Sequence, residues 1–204
     1  MKALAIPALL LASLLSAGCV ASAVGANVPP DETFDLLGEG AIGDTSPASG
    51  VQLLVPEPTT LRILASDQVV VRVTPRSLEY LAGVRLADTL TRMTQVKLQR
   101  ALERGAGIGS VGVPGQGLAI DYQLVTDIRA FEIRANEGET AFVAITGKLL
   151  DDRTGNVIAS RVFRASSPVA APSAETDRER YVRALDAALT DVLIAVTDWT
   201  EQRT

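Results

Sequence analysis

Apolar residues recur along this chain at two different spacings, and the change of spacing marks out the elements. Val51-Gln52-Leu53-Leu54-Val55 is a short extended run stopped by Pro56 and Pro58, which have no N–H to give a strand ladder. Val69-Val70-Val71-Arg72-Val73 is almost continuously β-branched, which suits a strand covered on both faces, and Pro75 closes it. From Arg85 to Arg104 the period becomes helical. Leu86, Leu90, Met93, Val96 and Ala101 share one broad face with Leu98 and Leu102 at its edge, while Arg85, Asp88, Arg92, Gln95, Gln99 and Glu103 crowd the other. Lys97 falls on the apolar side, where its stem can lie along the core while the ammonium reaches water. Gly105 is placed to stop the helix.

Alternation returns at Leu118 to Leu124 and changes phase between Val125 and Phe131, which predicts a bulge. Glu137-Gly138-Glu139 and Asp151 to Asn156 are turn sequences on either side of Ala141 to Leu150, and Val157 to Phe163 follows, so three strands are predicted as an antiparallel meander. The last helix begins at a capping box, Thr176-Asp177-Arg178-Glu179. Tyr181, Leu185, Ala188, Val192, Ala195 and Trp199 then form one stripe, each within about 40° of Tyr181, with Ile194 on the opposite, polar side. Strand, strand, helix, three strands, helix predicts an α/β domain: one mixed sheet of about five strands with two main helices packed on it.

Composition narrows the chemistry. The 204 residues are 47% hydrophobic and 21% charged, with a net charge of -5, so the broad basic footprint of a nucleic-acid binder is missing. There are no histidines, which removes Ser-His-Asp and Cys-His nucleophilic sites and every histidine-ligated metal. Gly107-Ile108-Gly109-Ser110-Val111-Gly112 satisfies a dinucleotide-binding pattern by letter, but it follows a helix and leads to a strand, the reverse of the context that chemistry needs, so it is read as a mobile loop. Asp151, Asp152 and Asn156 lack the ligand spacing of a calcium loop and read as a solvated turn. Asp121, Asp127 and Glu132 could supply paired carboxylates, yet nothing brings two of them together, and they read as outward-facing strand charges. Trp199 reads as a core anchor. No catalytic residue, cofactor or metal ligand is predicted.

The amino terminus carries a different message. Lys2 is followed by an uncharged run from Ala3 to Gly18, too short for a comfortable membrane span and interrupted by Pro7. Leu14-Leu15-Ser16-Ala17-Gly18-Cys19 resembles the bacterial lipobox, in which the cysteine sulfur receives a diacylglycerol before cleavage. Cys19 is the single cysteine of the chain, so residues 1–18 are predicted as a lipoprotein signal peptide and Cys19 as the lipid attachment site. One acyl chain holds weakly, whereas a diacylglyceryl group with an N-acyl chain anchors firmly. Val20, where a retention signal would place Asp, resembles an outer-membrane address facing the periplasm. Residues 19–49 are rich in Ala, Gly, Ser and Pro and read as a flexible tether; Thr33 to Leu37 is apolar enough for a short strand, or equally for a sticky patch in a linker. Residues 50–204 then form the domain.

Taken in order, these pieces resemble a family. The lipobox and tether are followed by Phe34 and Leu36, by Leu86-Ala87-Asp88-Thr89-Leu90, and by Asp121-Tyr122-Gln123-Leu124 with Asp127, Arg129, Phe131 and Glu132. Asp152-Arg153-Thr154-Gly155, Arg161-Val162-Phe163 and Asp198-Trp199-Thr200 complete the series. It resembles the ABC-type transport auxiliary lipoproteins, partners of mammalian-cell-entry-type lipid transporters. Members often carry Trp where Ala87 stands here. The resemblance implies a single three-layer domain without a catalytic centre, working beside an ABC permease, its ATPase and a mammalian-cell-entry-domain lipid carrier, with a homo-oligomer left open. A second expectation, a carrier lipoprotein that holds an acyl chain in its own cavity, requires a large apolar pocket.

Overall fold

The computed structural model describes residues 30–38 and 50–204, except 106, 118 and 173. Its centre is the strand Tyr122–Arg134, which becomes β7 once the chain is numbered from its start. Ahead of it come β1 (Glu32–Phe34), β2 (Gln52–Leu54), β3 (Thr59–Thr60), β4 (Gln68–Thr74), β5 (Ser77–Leu86), helix α1 (Leu90–Gly105) and β6 (Ser110–Gly112). Behind it come β8 (Thr140–Asp151), β9 (Val157–Pro168) and helix α2 (Asp177–Glu201).

All nine strands join one mixed sheet, not the five or so expected. The excess has a local cause. Pro56 and Pro58 break the chain from Gln52 to Thr74 into pieces, and β2, β3 and β4 lie one after another along the same edge of β7, each parallel to it. The other edge of β7 pairs along its whole length with β8, which pairs in turn with β9, as the meander predicted. Short strands close the flanks, with β6 parallel to β2 and β1 parallel to β5. The tail of the glycine-rich stretch is therefore sheet: Ser110–Gly112 is β6, where a loop was expected.

The predicted bulge is at Arg129. Ile128 faces Ile145 and Ala130 faces Ala144, so one residue is extra and the buried parity changes. Leu124, Thr126 and Ile128 point to the core before it, Phe131 and Ile133 after it.

Helix α1 starts at Leu90, five residues later than the periodicity suggests. Arg85 and Leu86 belong to β5, because the Arg85 guanidinium is clamped between Asp31 and Asp67 and the Leu86 N–H donates to the Asp67 carbonyl. Gln95, expected on the polar side, is buried and donates to the Val55 carbonyl at 2.9 Å, an acceptor stranded where Pro56 ends the ladder. Helix α2 begins at its capping box, with Thr176 and Glu179 satisfying each other's backbone N–H groups.

The two helices touch each other, and both feed the apolar cluster that includes Leu98, Leu102, Leu124, Phe131, Leu185 and Val192. The opposite face of the sheet carries no helix among the described residues. Among the described residues there are thus two layers, sheet and helix pair, where three were implied. The buried face of α2 is also wider than the expected stripe. Leu189, Leu193 and Val196 join it, because α2 meets β8 and β9 on one side and α1 on another. Trp199 is a core anchor, edge-on to Phe163 with centroids 5.5 Å apart, and Gly147 leaves the room for that pair.

Candidate functional site at the entry of the chain into the sheet

Cys19, the signal peptide and residues 39–49 lie outside the described residues. What the structure does show is how the segment nearest to them, Asp31 to Gly38, is tied into the fold. This stretch has the composition of a linker with a few apolar residues, yet four kinds of interaction hold it. Its backbone adds a parallel strand to β5, Glu32 opposite Val84 and Phe34 opposite Leu86, and the Ala87 N–H donates to the Phe34 carbonyl at 2.9 Å. Arg85 Nε donates to Asp31 Oδ2 at 2.6 Å, and Arg178 Nη1, from the first turn of α2, donates to Glu32 Oε1 at 2.8 Å. The carboxylates of Asp67 and Asp31 together hold the Arg85 guanidinium above its already high ordinary pKa, so it is charged at any working pH.

Gly83 makes this arrangement sterically feasible. Its φ of 77° lies in the left-handed region, and an added Cβ would sit 2.6 Å from the Arg178 guanidinium carbon. Here the pairing of β4 with β5 slips, from Val70 opposite Tyr80 to Gln68 opposite Arg85. The slip aims Arg85 at Asp31.

Past β1 the chain crosses the helices. Leu36 is 1% exposed in the core, while Leu37 beside it is 70% exposed. The Leu37 N–H donates to Asp186 Oδ1 of α2 at 2.8 Å, and Gly38 passes so close to Thr190 that a Cβ would meet its hydroxyl at 2.7 Å. On the α1 side, Lys97 Nζ meets Asp35 Oδ1 at 3.2 Å. Lys97 is only 3% exposed, so its ammonium does not emerge into water as expected; Asp35 comes down to cover it. Beside this pair an open cleft of about 330 Å³ is lined by Asp35, Ala87, Asp88, Arg92, Met93 and Lys97, among others. Ala87 also lines it.

The remaining candidates are dispersed. Asp151 accepts from the Thr154 N–H and hydroxyl within its turn, and those bonds hold its carboxyl below the ordinary 3.8. Asp121 caps the Gln52 N–H at 2.8 Å, and Asp127 pairs with Arg129 and accepts from the Thr59 hydroxyl. Glu132 is the exception to the expected outward-facing charges: at 3% exposure it accepts from Arg72 through Nε and Nη2, at 2.7 and 2.8 Å, and from Arg134 Nε at 3.1 Å. Arg72 among the valines of β4 was the signal in the sequence, but only the pairing of β4 with β7 brings it, with Arg134, to the Glu132 carboxylate. No group of residues able to hold a metal ion is found among the described residues. Nor is any described helix long and apolar enough to cross a membrane.

The fold is shared with known proteins. The sequence model for the ABC-type transport auxiliary lipoprotein component matches residues 36–196, most of the chain, and the chain belongs to that family. The crystal structure of XCC0632 from Xanthomonas campestris, a DUF330 protein, has 29% identity and a TM-score of 0.70, covering 84% of this chain and 95% of that one. An uncharacterized protein of known structure shares the fold at 16% identity and a TM-score of 0.64, covering 83% of this chain and 97% of that one. An uncharacterized protein of Bradyrhizobium diazoefficiens is 28% identical over 172 residues, which cover 82% of this chain. The chain spans less than half, 44%, of the length of that curated relative.

Proposed function

We propose that this protein is a non-enzymatic, lipid-anchored component of a mammalian-cell-entry-type lipid transport system. In this reading it docks the assembly at the outer membrane and faces the periplasm. Membership of the transport auxiliary lipoprotein family, matched over residues 36–196, is the observation that carries the proposal. Acylation of Cys19 supplies the anchor, and the body supplies the attachment point for an ABC permease, its ATPase and a lipid-carrying subunit.

The entry geometry supports the mechanical side of this reading. A domain held by its amino terminus must pass any pull into its core without unravelling. Strand pairing of β1 with β5, the Arg85–Asp31 and Arg178–Glu32 pairs and the buried Leu36 oppose peeling together. The fold takes up the chain at Asp31, within the stretch read from sequence as tether.

The alternative of a carrier with its own acyl cavity fits less well. The cleft beside Asp35 and a second one on the open sheet face are lined mostly by charged side chains, the wrong surface for a hydrocarbon chain. Affinity purification of the full chain from detergent-solubilised envelopes of the native host tests the proposal. Co-recovery of the permease, the ATPase and a protein with a mammalian-cell-entry domain is expected; recovery of unrelated partners alone refutes it.

A further inference from the structure

The helix-free face of the sheet carries a depression of about 420 Å³ whose charge runs against that of the whole chain. Four arginines line it, Arg72, Arg129, Arg134 and Arg164, with one carboxylate, Glu132. Even when Asp127, which pairs with Arg129, is added to the count, two positive charges remain in excess, on a protein of net charge -5. The concavity follows from side-chain length. Ala130 of β7, Ala144 of β8 and Arg164 of β9 occupy one row across the sheet. Neighbouring strands are about 4.8 Å apart, so two short alanines make a floor roughly 10 Å wide between long arginine walls.

Three of the four arginines have their orientation set by neighbouring side chains. Glu132 grips Arg72 with both carboxylate oxygens and Arg134 with one, and Arg134 lies over the Phe142 ring at 3.6 Å. Arg129 is the bulge residue, which turns its side chain onto this face, where Nε donates to Thr146 Oγ1 at 3.1 Å. Phe142 and the 36% exposed Val162 add an apolar margin. Guanidinium groups with fixed orientation, a surplus of two charges and an apolar rim match a phosphate ester in size and charge.

We infer that this depression binds a phosphate ester, with Arg129 and Arg164 as the chief donors to the phosphoryl oxygens. The phosphate can be borne by a lipid head group or by a soluble metabolite. The inference is independent of the docking role proposed above: loss of either leaves the other standing.

The test is calorimetric titration of the full chain in a neutral detergent with glycerol 3-phosphate, with dihexanoyl phosphatidic acid and with glycerol as the uncharged control. Both phosphates are expected to bind and glycerol not. A lipid source makes the phosphatidic acid bind at least about tenfold more tightly, and a soluble source makes the two equal. Arg164→Gln and Arg129→Gln should each weaken binding about tenfold with unchanged thermal unfolding. Lys148→Gln, exposed on the same face but outside the depression, should leave it unchanged. No phosphate binding up to about 10 mM overturns the inference. So does equal loss in the Lys148 variant, or binding of an acidic peptide such as polyglutamate without any response to the phosphates, which assigns the face to a protein partner.

Discussion

Single residues settle most of the polar chemistry of this protein, and Asp151 shows how. Its carboxylate accepts the Thr154 hydroxyl at 2.8 Å and the Thr154 N–H at 2.7 Å, which favours the charged form and lowers its pKa below 3.8. A depressed acid stabilises the fold above its unfolded pKa, and that contribution is lost as the pH falls through the depressed value. Thr154→Val keeps the turn's shape and removes the hydroxyl bond, so the carboxyl titration followed by NMR is expected to move up toward 3.8; an unmoved midpoint would show that the backbone N–H alone sets it. Lys97 and Glu132 follow the same logic in the interior. Each is a buried charge, and each is placed where a partner on a different element reaches it, Asp35 for one and Arg72 with Arg134 for the other.

Among the elements, β1 departs furthest from what its composition suggests. Three residues of parallel pairing would be marginal alone, but Leu36 just beyond them is buried against the helices. Leu36→Ala is therefore expected to cost about 2–5 kcal/mol, measured by denaturant unfolding, whereas a residue in a free tether would be silent. Other elements were legible from pattern alone: the meander of β7, β8 and β9, the phase change at Arg129 and the capping box of α2. The start of α1 was misplaced because helical periodicity continues through Arg85 and Leu86, while the ion pairs that hold those residues in β5 come from Asp31 and Asp67, 54 and 18 residues away.

For the molecule as a whole, the proposed function turns on attachment. Cys19→Ser removes the sulfur proposed to be acylated, and the protein is expected to move from the membrane to the soluble periplasmic fraction on cell fractionation. Continued sedimentation with membranes would instead assign the anchor to another segment. The fold contributes by taking up the chain at Asp31, with its first residues paired to β5 and to α2.

Local pattern was enough to determine the two amphipathic helices, the long antiparallel strands and the capping box of α2, because each is written in neighbouring residues. Among the described residues, the nine strands of the sheet, its helix-free second face, the burial of Lys97 and the gathering of arginines around Glu132 were decided only in three dimensions. They depend on parallel pairings between distant segments, β1 with β5 and β2, β3 and β4 with β7, and parallel pairing has no adjacent turn to announce it.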